Sequence, residues 1–97
     1  MRSVKAFRGS RRSSIYREFV VEEEAFARIV QAAGLGPLDG QLDKGEARRL
    51  AEGLTELRTS AVLPELDDQL TAIVELARWC SRASGEAWLR IEPRPDR

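Results

Sequence analysis

A chain of 97 residues with 42% apolar and 33% charged residues, sixteen bases against sixteen acids, is a globular domain rather than a disordered tail. No apolar run approaches the ~18 residues a membrane span needs, and at this length one core forms without a large enclosed cavity. The absence of histidine excludes Ser-His and Cys-His dyads and removes the commonest metal ligand. The single cysteine, Cys80, excludes an internal disulfide, so a reducing cytoplasm is the expected compartment.

Charge is spread unevenly along the chain. Residues 1–20 carry six bases (Arg2, Lys5, Arg8, Arg11, Arg12, Arg17) and one acid, whereas residues 21–66 carry nine acids and five bases. No repeat or linker divides the chain, so residues 1–97 read as one domain with a basic end. Fourteen arginines against two lysines point to a GC-rich bacterial genome, an inference about codons and not about function.

The basic end, residues 1–21, predicts a β-hairpin. "SVKAF" and "SIYREFVV" are rich in β-branched and aromatic residues, and "RGSRRS" between them supplies a Gly-Ser turn. An Arg- and Ser-rich start is also a transit-peptide feature, but the hairpin accounts for the same residues. Within the second strand Ile15, Phe19 and Val21 share a face with Arg17, a charge that periodicity does not explain.

Three helices follow, over 22–34, 43–58 and 64–82. The first opens on three glutamates suited to a helix N-terminus, and Phe26, Ile29, Val30 and Ala33 form its apolar stripe. Gly34 and Pro37 stop it. The second opens with Asp43 and Glu46 spaced as a capping box, and carries Ala47, Leu50, Ala51, Leu54 and Leu57 on one stripe. The third starts at Pro64. Its apolar residues, including Leu66, Leu70, Ile73, Val74, Ala77 and Cys80, cover roughly 220° of the circumference, which marks it as the central helix.

Residues 86–92 alternate as a strand, with Ala87, Leu89 and Ile91 on one face and Trp88, Arg90 and Glu92 on the other; residues 93–97 are a polar tail. The order β-β-α-α-α-β brings the last strand back to the hairpin, because a lone strand is unstable. The expected fold is α+β: a small antiparallel sheet covered on one face by three helices. A helical bundle with frayed ends is the competing arrangement.

Candidate chemistry is sparse. Cys80 lies in the last turn of a helix, where the negative dipole end disfavours a thiolate, and on the apolar arc, so it reads as core. Gly45 cannot anchor a calcium loop, since Gly40, Leu42, Lys44 and Ala51 would occupy the oxygen-ligand positions. Phosphate-binding glycine motifs are absent, and the acids at 22–24 and 67–68 sit where helices begin. No enzyme activity, cofactor or metal is expected. Two binding readings remain. The first is contact with another protein or a second copy through an exposed sheet face or edge strand, with Tyr16, Val20, Trp79, Trp88 and Arg90 as contact candidates, of the adaptor, self-associating or toxin-neutralising kind. The alternative is nucleic-acid binding by Arg8, Arg11 and Arg12 at the hairpin tip, against which the zero net charge counts. No membrane partner is expected.

Overall fold

The computed structural model describes residues 1–9, 14–36 and 38–94. Strands β1 (Arg2–Gly9) and β2 (Ser14–Val21) pair antiparallel from Arg2↔Val21 to Gly9↔Ser14. Helix α1 (Glu23–Ala32), strand β3 (Gly40–Leu42) and helix α2 (Lys44–Thr59) follow. A 3₁₀ turn (Pro64–Leu66) leads into helix α3 (Asp67–Ser81), and strand β4 (Ala87–Pro93) closes the fold.

The sheet has the order β2-β1-β4-β3, and every pairing is antiparallel. Strand β4 enters between β1 and β3, pairing with β1 from Arg2↔Pro93 to Arg8↔Ala87 and with β3 over Leu89–Ile91. The predicted fold class and element order therefore hold, with one correction: among the described residues the expected three strands are four. "GQL" at 40–42 is too short and too polar to show a period of two. Gly40, at φ +91°, turns the chain into it.

Alternation along the strands decides which side is covered. Val4 and Ala6 of β1 and Leu89 and Ile91 of β4 point to one side and are fully buried there. Helix α3 packs on that side against β1, β2 and β4, and against α2 along its other flank. Its buried set, from Leu70 through Ile73, Val74, Leu76 and Ala77 to Cys80, is the wide arc expected of a central helix. Helix α2 contributes Ala47, Leu50, Ala51, Leu54 and Leu57, and α1 contributes Phe26 and Ile29.

The helix ends follow their local signals. Asp43 accepts a hydrogen bond from the Glu46 N–H at 2.8 Å while the Glu46 carboxylate accepts from the Asp43 N–H at 3.1 Å, a complete capping box. Gly34 at φ +69° ends α1 in a Schellman arrangement, the Leu35 N–H donating to the Val30 carbonyl and the Gly34 N–H to that of Gln31. The third predicted helix, 64–82, divides into the 3₁₀ turn and α3, since Pro64 starts a tighter first turn.

Candidate functional site

The side of the sheet away from the helices has no covering element among the described residues. The register arranges its side chains in rows across the strands. Tyr16, Phe7 and Trp88 form one row on β2, β1 and β4. Glu18, Lys5 and Arg90 form the next, continued by Gln41 on β3, and Val20, Ser3 and Glu92 form a third.

The aromatic row is a continuous ladder. Phe7 and Trp88 stack with centroids 5.1 Å apart and planes within 9°, and Phe7 and Tyr16 lie 5.6 Å apart, tilted by 32°. Both distances suit aromatic pairs, each worth about 0.5–1.5 kcal/mol beyond burial. Tyr16 remains 58% exposed, the more so for standing on an edge strand. The charged rows lean toward this ladder: Lys5 Nζ lies 5.9 Å from the Tyr16 ring centre and the Arg90 guanidinium 5.9 Å from that of Phe7. Lys5 also pairs with Glu92 at 3.7 Å, Arg94 with Glu18 at 3.7 Å, and the Ser3 hydroxyl donates to Glu18. A groove of about 940 Å³ runs beside Trp88 toward the start of α2, with Gln41, Arg49, Glu86 and Arg90 on its walls.

The five protein-contact candidates are thus divided by the sheet. Tyr16, Val20, Trp88 and Arg90 come together on the open side. Trp79 does not: it lies half-buried on the helix side, with the Arg8 guanidinium 4.3 Å and that of Arg17 4.7 Å from its ring centre. This explains the charge on the apolar face of β2, because Arg17 lies over an indole.

Arg8 is held more firmly still. Its Nε donates to the Trp79 carbonyl at 2.9 Å, and its Nη2 donates to the same oxygen. Trp79 stands in the last turn of α3, where carbonyls lack an intrahelical partner; the Ala83 N–H goes to Cys80 instead. Arg8 caps the helix with a cation at its negative end, on the helix-covered side of the sheet. Arg11 and Arg12, the other nucleic-acid-contact candidates, lie outside the described residues.

Several other ionisable groups have structural partners. Arg2 bridges Glu23 at 2.8 Å and Asp39 at 3.0 Å, and its hydrogen bond to Glu23 holds that carboxyl below its usual pKa. Arg58 pairs with Asp67 at 2.9 Å. Lys44 donates to the carbonyls of Ala83 and Gly85, tying the start of α2 to the turn after α3. Cys80 is fully buried, and burial raises its thiol pKa. Among the described residues no three His, Cys, Asp or Glu side chains gather where a metal ion could bind, and no helix is long and apolar enough to cross a membrane.

The open face was partly legible in the sequence, which separates Trp88 from Leu89 and Ile91 by alternation. Phe7 was missed as a contact residue, although it is the centre of the ladder. Its neighbours on β2 and β4 follow only from the register, which no local pattern specifies. The chain matches no protein-family model, no curated protein and no solved structure.

Proposed function

We propose that this chain is a small non-catalytic protein-binding module, working in a reducing cytoplasm, that docks through the open face of its sheet. The observation that carries this reading is the uncovered ladder Tyr16–Phe7–Trp88. Aromatic residues flanked by arginine are the types that dominate interface energies, and here they stand on strands rather than loops, so they bind without much loss of conformational freedom.

Ring spacing leaves no room for a nucleic-acid base to insert between neighbouring rings of this ladder. Inserting a base between two rings needs centroids about 7 Å apart, two van der Waals contacts of roughly 3.5 Å. The ladder's 5.1 and 5.6 Å leave no such gap, and Phe7 has a ring on each side. Binding of phosphates at the hairpin tip draws less support too, since Arg8 serves α3.

A photo-crosslinking residue at Gln41, on the open face, and another at Glu75, exposed on α3, test the proposal in cells producing the protein. Adducts are expected at position 41 in clear excess over position 75, and they should disappear when Trp88→Ala is added. Equal yields at both positions, or adducts indifferent to Trp88→Ala, would refute it.

A further inference from the structure

We infer that the protein docked on the open face is a second copy of this chain, in a reversible face-to-face dimer. The inference rests on the docking reading above and adds the occupant. It follows from how the two possible self-pairings treat charge.

Edge-to-edge pairing is unfavourable. Among the described residues β2 is an outer strand, and Ile15, 65% exposed, and Tyr16 stand on it. A two-fold axis normal to the sheet would pair β2 with its copy and keep helices on one side, so odd residues would face odd residues and even face even. The two registers with the longest overlap then centre on Arg17 against Arg17 or on Glu18 against Glu18. Like charges directly opposite are destabilising, and charged residues are a common guard on edge strands.

Face-to-face pairing does the reverse. Along the strands the open face divides into an aromatic row (Tyr16, Phe7, Trp88) and a charged row (Glu18, Lys5, Arg90) two residues further on. A half-turn about an axis lying between these rows, perpendicular to the strands, keeps each strand over its own copy and exchanges the rows. Trp88 then meets the copy's Arg90, Phe7 meets Lys5, and the Tyr16 hydroxyl meets the Glu18 carboxylate. One cation–π contact, Arg90 on the outer face of Trp88, and one charge-assisted hydrogen bond form, each twice; Phe7, with a ring on either side, adds packing only. Only Glu92 meets a like charge, Glu86, at the rim where solvent screens it. Zero net charge removes long-range repulsion between copies.

Area sets the strength. Strands spaced about 4.8 Å apart, rising about 3.3 Å per residue, give the face at most roughly 440 Å² per copy. That is about half the ~800 Å² per partner of a stable complex, which places the contact among weak, transient ones.

Sedimentation velocity of the purified chain from about 5 µM to 1 mM reads the proposal, with circular dichroism confirming that each variant is folded. The expected result is concentration-dependent dimerisation, weakened at least tenfold by Trp88→Ala and by Arg90→Glu, and unchanged by Ile15→Arg on the β2 edge. A single 10.9 kDa species at every concentration overturns it. So does association that ignores Trp88→Ala or that Ile15→Arg abolishes. A chain that stays monomeric yet gives Trp88-dependent adducts at position 41 refutes the second copy and leaves the docking reading standing; loss of both results refutes both.

Discussion

Replacing Arg8 by alanine tests whether this residue is a helix cap or a free cation. In the folded protein its guanidinium gives two hydrogen bonds to one carbonyl of α3 and covers the Trp79 ring. Hydrogen bonds from a charged donor contribute about 1.5–3 kcal/mol, and a cation–π contact in a half-exposed setting adds about 0.5–1 kcal/mol. The two overlap, because one side chain makes both, so the expected loss is about 2–3 kcal/mol. For a domain near 100 residues each kcal/mol moves the melting midpoint by about 4–8 °C, so calorimetry should find Arg8→Ala lower by roughly 10–20 °C. Arg8→Lys should recover less than half, since an ammonium lacks the planar fork. Trp79 emission should shift to the red in Arg8→Ala as water reaches the ring. A variant melting within about 2 °C of the parent would refute the capping argument and return Arg8 to the pool of free surface cations.

Other expectations are simpler. Leu54→Ala, at a position 1% exposed in the core, should lose about 2–5 kcal/mol in urea unfolding, and a loss below about 1 kcal/mol would mean the core closes over the gap. Asp43→Ala should lose about 1 kcal/mol through its half of the capping box, with the first-turn amides of α2 exchanging faster; unchanged exchange would refute the role. Cys80 should resist alkylation until the protein unfolds, and a thiol that reacts at once in native buffer contradicts its burial. Because burial raises its pKa in the fold, the stability tied to the neutral thiol is intact below about pH 8.5. It falls by up to about 1.4 kcal/mol per pH unit as pH rises from there toward the folded-state pKa. Urea melts at pH 7.5 and 9.5 should show that loss in the parent and less of it in Cys80→Ala.

The parts of this molecule that could be read from sequence are those where one residue type repeats at a fixed period. The stripe of α2, the wide arc of α3 and the alternation of β4 each report a buried surface directly, so the fold class and even the central helix could be inferred. Strand β3 could not, because three residues carry no period and its pairing depends on β4 being present. The site was half legible for a related reason. Trp88 and Tyr16 belong to faces that alternation identifies, but their meeting over Phe7 is a matter of register between segments some seventy residues apart. Arg17 looked anomalous in its own strand, and Trp79 was read as a contact residue for a partner. The indole accounts for the charge, across a contact that only tertiary structure creates.

The position of β4 has a consequence for the order in which the protein can be made. Strands β2, β1 and β3 all precede it in the chain, yet it fills the slot between β1 and β3, and among the described residues nothing else joins them in the sheet. During synthesis the hairpin and the first helices are released while the inner edge of β1 has no partner. The sheet cannot close until Pro93 has been added, so folding waits for the end of this segment. In that interval Val4 and Ala6 face a half-built core, and the period of greatest exposure to aggregation or chaperone capture falls between translation of α1 and translation of β4.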